Sequence, residues 1–415
     1  MRSPLLLAAA LCLSVNAASA QNLLIRGGEV HTGTDAGVLD NADILIEDGT
    51  ISAIGTNLTA PSGTETLNAG GKPVTAALFT GVSAIGLAEV EAESDSVDNR
   101  LADLHDTPMR PEFDVTPAYN PHSTVVPVTR VEGFGFTLLG ASASDSIIAG
   151  QGQLVRLDGG YTSFAGDKVL FITIGGGSAD KAGTSRAAQW MVLEQAMAEA
   201  KRPSRQGEPA LLTRLGRETL KAYTRDGTVV FAVDRASDIL QTLDFAQRHG
   251  FSAVVAGGAE AWVVAGALAK ANVPVLLDPL ANLPNSFDSV GSRLDNAALL
   301  HAAGVDVGFS GAETHNTRKN RQMAGNAVAN GLPWEAGLAG LTSVPARLFG
   351  MSGGELSAGM AGDVVIWSGD PLEVTSAADA VVLSGKVDSM TSRQTRLRDR
   401  YLPRQSDLPR AYIKP

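Results

Sequence analysis

From Asn22 to about Val74 the apolar residues fall in short β-type runs, Leu23 to Ile25, Ala42 to Ile46 and Thr50 to Ile54, cut by Gly27-Gly28, Asp48-Gly49 and Gly70-Gly71. Glycine pairs and Asp-Gly are turn signals, so this stretch predicts a small sheet. The middle of the chain differs. Thr228 to Val233, Ser252 to Ala256, Val273 to Asp278 and Val305 to Ser310 are almost continuously hydrophobic, as parallel strands covered on both faces should be. Helical spacing separates them: Ser237 as a cap with Ile239, Leu243 and Ala246 on one face and Gly250 as the stop, then about Glu260 to Lys270, then about Arg293 to Ala303. A strand followed by a helix every 20 to 30 residues or so is the repeating unit of a parallel barrel or a doubly wound sheet.

Earlier segments follow the same plan less regularly. Val74 to Phe79, Val125 to Val131 and Gly135 to Leu139 read as strands, and Val169 to Ile174 precedes a helix with Ala187, Trp190, Leu193 and Met197 on one face. About six to eight units fit between residues 74 and 350. Strand-like pieces return at Asp363 to Ile366 and Ala380 to Leu383. From Lys386 to Pro415 eight Lys or Arg face three Asp, the pattern of a solvated tail or of a subunit contact.

Composition narrows the class. The 415 residues are 44% hydrophobic and 19% charged, enough for the core of one large domain or two smaller ones. A net charge of -11 with no basic block before the tail argues against nucleic acid as a partner. At the start, Arg2, the apolar stretch Leu5 to Val15 and Ala18-Ser19-Ala20 read as a cleavable secretory signal over residues 1–20, which predicts a periplasmic or secreted protein. The apolar stretch is too short for a membrane span. The only cysteine, Cys12, lies in that leader and follows Leu11 rather than a small residue, so the mature chain is expected to carry no thiol, disulfide or membrane anchor.

Several stretches together resemble a known family. Leu23-Leu24-Ile25-Arg26-Gly27-Gly28, Ile44 to Ile54, Gly71-Lys72-Pro73-Val74-Thr75, Asp234 to Ile239, Leu283-Pro284 before Ser286-Phe287-Asp288, and Gly362 to Trp367 with Asp370-Pro371-Leu372 are similar to the amidohydrolase superfamily, in its imidazolonepropionase-like branch. The resemblance covers essentially the whole mature chain. It implies an α/β fold: a distorted (β/α)8 TIM-like barrel over residues 75–350, beside a composite β-sandwich built from residues 21–74 and 351–415. It also implies hydrolysis of C-N bonds in amides or cyclic amides. The family's first strand ends in His-x-His, which binds a divalent metal. Here the matching positions are Val82 and Ala84, with Thr80 in place of the preceding Asp. Further ligand positions match Ala232, Ala259, and Gly311 or Ala312. Val and Ala offer a metal no lone pair, and the six histidines, at 31, 105, 122, 249, 301 and 315, never fall two on one strand or one helical turn. The expectation is therefore a chain with no metal and no cofactor.

The remaining polar residues give the candidate site. Glu313 and His315 follow a barrel strand at alternate positions, and a carboxylate that orients an imidazole makes a general base; the pair reads equally as a polar loop beside Asn316. Asp234 and Arg235 end another strand and either pair with each other or hold a substrate carboxylate. Glu260 and Asp278, also near strand ends, are substrate-binding candidates, with helix N-terminal stabilisation the alternative for Glu260. Gly175-Gly176-Gly177-Ser178 either presents amides to an anion or is a flexible loop, without the Lys of a phosphate loop. His249 reads as helix C-terminal, His301 as partly buried packing, His31 as part of the terminal sheet, and His122 as a surface loop. Ser83 lacks the Gly-x-Ser-x-Gly setting of a serine nucleophile. Two functions follow: a hydrolase that works without metal, or a non-catalytic barrel. The latter would bind a small amide or short peptide, form a homo-oligomer or pair with a metal-containing paralogue.

Overall fold

A computed structural model describes residues 22–102, 109–202, 210–311 and 313–402. The leader, on which the export prediction rests, and the last 13 residues, which hold three of the eight basic residues of the tail, lie outside these, as do His105 and Ala312. The chain opens with five strands, β1 (Leu23–His31), β2 (Val38–Glu47), β3 (Thr50–Gly55), β4 (Glu65–Asn68) and β5 (Pro73–Ala76). Next come β6 (Leu78–Ser83), α1 (Val125–Arg130), β7 (Phe134–Leu139), β8 (Ile148–Arg156), β9 (Phe164–Thr173), α2 (Arg186–Lys201), α3 (Arg214–Tyr223) and β10 (Thr228–Val233). Strands and helices then alternate through α4 (Ala236–His249), β11 (Ser252–Gly257), α5 (Ala265–Ala271), β12 (Val275–Leu277), α6 (Asn296–Ala302) and β13 (Val307–Phe309). Three helices, α7 (Asn320–Ala329), α8 (Trp334–Ala339) and α9 (Ser343–Phe349), lead to β14 (Val364–Trp367), β15 (Ala378–Leu383), β16 (Lys386–Val387) and α10 (Arg393–Tyr401).

The strands form two sheets. β6 to β13 lie in sequence order, and the register makes seven of them parallel while β8 runs antiparallel between β7 and β9. This is a barrel of the expected class, distorted at one place. Sequence patterning misses β8, because Gly150 and Gly152 within it read as loop; yet a Cβ on Gly152 would stand 1.8 Å from the Leu139 carbonyl oxygen, so only glycine fits there.

The second sheet is built from both chain ends, in the order β16-β15-β14-β5-β1-β2-β3, with β4 also on β1. It forks at β1, whose first half pairs with β4 and whose second half pairs with β5. Alternation then divides its side chains. Leu23, Ile25, Ile44, Ile46, Val364 and Ile366 fill a core of their own, while Val365, Trp367, Val381 and Leu383 join the barrel core. The apolar run from Val74 to Phe79, expected as one strand, is two: β5 belongs to the terminal sheet and β6 to the barrel, with the chain crossing at Ala77.

Two further expectations are corrected. Val125 to Val131 is helix rather than strand; Pro127 sits in its first turn, where a missing N–H costs nothing. Ser237 does not cap α4, which starts one residue earlier with Arg235 at the cap position and no side-chain cap bond.

Candidate functional site

Which side chains face into the barrel follows from register. Phe231 meets Phe245 of α4 outside the barrel, with ring centroids 6.4 Å apart, so its neighbours Val230 and Ala232 face inward. Pairing carries that face to Phe171 and Thr173 on β9, Ala256 on β11, Leu276 on β12 and Gly308 on β13. Val82 joins it on the far side: both Val82 and Phe171 approach the open side of Gly140 at the end of β7. Near the carboxyl ends of these otherwise buried strands, Val82, Thr173, Ala232 and Ala256 are half-buried. They line the open mouth of the barrel, the end where loops of such a fold hold ligands.

The implied metal does not fit these residues. Val82 and Ala232 point into the mouth with hydrocarbon, and Ala84 is buried with its N–H donating to Thr314 Oγ1 at 3.0 Å. Among the described residues no three His, Cys, Asp or Glu side chains converge in a way that could hold a metal ion.

The β13–α7 segment closes the barrel against β6 through side chains. Val82 N donates to Ser310 Oγ at 3.0 Å, Ala84 N to Thr314 Oγ1, and Asn320 Nδ2 to the Thr80 carbonyl oxygen at 2.5 Å. Gly81, at φ +88°, lets this happen: a Cβ there would lie 2.7 Å from Ser310 Cα. Ser83, weighed as a nucleophile, spends its hydroxyl on Thr137, 2.6 Å away, and on accepting from Ile85 N.

Glu313 and His315 do come together at the end of β13, with a third group that sequence reading missed. His315 Nδ1 is 3.0 Å from Glu91 Oε2, and Nε2 is 3.4 Å from Glu313 Oε2. Glu91 stands 224 positions away in the loop after β6, so no local pattern could point to it. Its second oxygen accepts from Thr314 N at 3.1 Å. Partial burial pushes the Glu91 carboxyl up, but the hydrogen bonds from His315 and Thr314 outweigh it and hold the group below its ordinary value. Asn316 Nδ2 donates to Glu313 Oε2 at 2.6 Å, which leaves Glu91 the better acceptor for the imidazole N–H. Both ring nitrogens thus face a carboxylate oxygen, and Nε2 is available as a general base only when the Glu313 carboxylate turns aside and the proton sits on Nδ1 toward Glu91. All three side chains are solvent-exposed.

The four substrate-binding candidates divide. Asp234 and Asp278 lie just beyond the carboxyl ends of β10 and β12, and burial raises both carboxyls above their ordinary range; the Ala259 N–H partly offsets this at Asp234 and the neighbouring Glu260 adds to it. Asp234 Oδ1 accepts from Ala259 N at 3.2 Å, and Asp278 Oδ1 from Leu280 N at 3.0 Å. Arg235 is exposed and forms no ion pair with Asp234. Glu260 is structural: its oxygens accept from Ala236 N at 3.1 Å, serving the start of α4, and from Gly291 N at 3.0 Å.

The triple-glycine loop presents one amide to an anion that the protein itself supplies. Gly176 N donates to Asp288 Oδ2 at 2.6 Å, while Gly175 N donates to Gln189 Oε1 at 3.1 Å. Arg186, at the start of α2, bridges Asp288 and Asp238 and so ties the loop after β12 to the first turns of α2 and α4. Leu283 and Phe287 on that loop are 74% and 92% exposed, large apolar side chains raised at the rim of the mouth. The other described histidines take no part. His249 in the last turn of α4 pairs with Glu194 at 3.1 Å, and His31 bonds Glu29 and packs on Trp334. His122 stands edge-on to Tyr161, and His301 is exposed rather than packed because it falls on the outer side of α6.

Comparison with known proteins agrees with this architecture. Residues 293–387, from just before α6 into β16, match the model of the amidohydrolase family. No curated protein sequence matches the chain. Among solved structures, an amidohydrolase from Thermotoga maritima superposes with a TM-score of 0.76 at 21% identity, covering 88% of this chain and 99% of that one. A triazine hydrolase from Arthobacter aurescens gives 0.55 at 16% identity over 91% and 98%, and a prolidase complexed with N-methylphosphonate-L-proline gives 0.54 at 13% over 89% and 99%. The chain has the fold of the amidohydrolases, and its residues 293–387 match that family in sequence.

Proposed function

We propose that this is an exported amidohydrolase-family protein that binds a small amide or short peptide at the barrel mouth without a metal ion. The observation that supports it most is the inward face of the barrel, where the half-buried positions near the strand ends are Val82, Thr173, Ala232 and Ala256. Binding there rests on apolar contact, with Asp234 and Asp278 as the nearby polar groups. Elemental mass spectrometry after incubation with zinc and manganese, and removal of excess ion, tests the reading. The expected result is no stoichiometric metal; one equivalent of bound metal overturns it.

A second reading has its own support in the juxtaposition of Glu91, His315 and Glu313. In it, His315 Nε2 takes a proton from water, the resulting hydroxide equivalent adds to the amide carbon, and the same proton passes to the leaving amine. Amide turnover that resists chelator and disappears in His315→Ala would establish catalysis. Turnover of the variant equal to that of the parent would refute it.

A further inference from the structure

A groove away from the mouth lies at the opposite end of the barrel, between α4 and α5. Its volume is about 830 Å³, within the range of pockets that take small organic ligands. The floor is the beginning of β10 and β11, with Phe251 and Ala253. One wall is the α4 stripe of Leu240 and Leu243, and Leu348 of α9 closes an end. The groove has a structural origin: α4 runs for 14 residues, whereas its neighbour α5 is helical for only seven after a 3-10 turn, so the shorter helix leaves the α4 stripe partly uncovered. Leu240 is accordingly 43% exposed.

The charges at the groove are asymmetric. Asp244 and Glu194 share one cation, Arg248, at 2.9 and 2.6 Å. Lys270, the only cation lining the groove, makes no ion pair among the described residues. A groove with leucine walls, the polar side chains Gln247, Ser252 and Asn272 along its lining, and one ammonium outside any ion pair complements a ligand with a hydrocarbon body and an anionic head. A neutral or cationic amphiphile would leave that ammonium unmatched.

We propose that the α4–α5 groove is a second binding site, taking a medium- or long-chain carboxylate with its hydrocarbon along Leu240, Leu243 and Leu348 and its head on Lys270. The site is independent of the mouth and of any activity there. Calorimetric titration of the mature protein with monomeric laurate should show saturable one-to-one binding. Lys270→Glu should weaken it by about fivefold or more, as expected for loss of an exposed ion pair and gain of a like charge. Ala267→Phe, which fills the trough from α5, should abolish it while thermal unfolding shows the variant folded. Dodecanol should bind more weakly than laurate to the parent and equally to parent and Lys270→Glu. No saturable laurate binding, or binding unchanged in both variants, overturns the proposal.

Discussion

Closing the barrel by side chains rather than by a strand ladder has a measurable consequence. Ser310 Oγ and Thr314 Oγ1 each accept one N–H from the β6 end, from Val82 and Ala84. Replacing Ser310 by Ala or Thr314 by Val removes the acceptor while keeping most of the volume, so each change strands one backbone donor. An unsatisfied buried donor costs about 1 to 3 kcal/mol. Ala84 is only 6% exposed, which puts Thr314→Val near the top of that range, whereas half-buried Val82 can turn to water and Ser310→Ala falls near the bottom. The donors lie two residues apart on one segment, so the double variant should not be additive. Amide hydrogen exchange reads each bond directly: a local loss of about 2.8 kcal/mol speeds exchange of the Ala84 amide roughly a hundredfold, and 1.4 kcal/mol speeds that of Val82 roughly tenfold. Amides in β11, across the barrel, should keep their rates. If Val82 and Ala84 exchange as slowly in the variants as in the parent, the seam is held by packing and the argument from hydrogen bonds fails.

Asp278→Asn tests the electrostatics of the mouth. Burial raises the folded Asp278 carboxyl, so its contribution to stability is fully present below its ordinary value of 3.8 and is lost as pH rises through the raised folded value. The Asn variant, which keeps the acceptor for Leu280 N, should melt above the parent at pH 7 and lose that advantage below pH 3.8; a variant less stable at pH 7 contradicts this. Arg186→Ala leaves two largely buried carboxylates, Asp238 and Asp288, without their shared cation and should cost about 2 kcal/mol, less than a fully buried pair because the guanidinium is partly exposed. Limited proteolysis should then cut between residues 279 and 287 faster than in the parent, and an unchanged cleavage rate would show the loop is held elsewhere. Gly133→Ala places a Cβ 2.2 Å from the Trp367 ring at φ +91°, so it should destabilise by about 3 kcal/mol or more; a parent-like denaturation midpoint would mean the indole can move aside.

The parts of this fold legible in the sequence are those where one local rule acts alone. β10 coincides with the run Thr228 to Val233, and α4 ends at the expected Gly250, because uninterrupted burial and a left-handed stop are local properties. Where two rules compete, the reading fails. The β-branched residues of Val125 to Arg130 favour strand, yet tertiary packing makes them a helix, and the glycines of β8 mimic a loop because the crowding they relieve comes from Leu139 on another strand. The site shows the same division. Glu313 and His315 are near neighbours and could be paired on paper, whereas Glu91 joins them only through the closing of the barrel. The anion at the glycine loop likewise proved to be Asp288, distant in sequence and invisible to motif reading.

The terminal sheet also bears on how the chain can be made. β5 lies between β1 and β14, and the Trp367 indole donates to Thr75 across 292 positions. During synthesis, therefore, the first five strands emerge long before the strand that completes them, and β5 waits with an unpaired edge while the barrel is translated. That interval favours either a chaperone on the nascent chain or a late assembly in which the barrel core forms first and the two ends meet last. Removing residues beyond Gly362 would then do more than shorten the protein: it would leave the first strands with a permanently open edge, and aggregation rather than a smaller soluble fold is the outcome to expect.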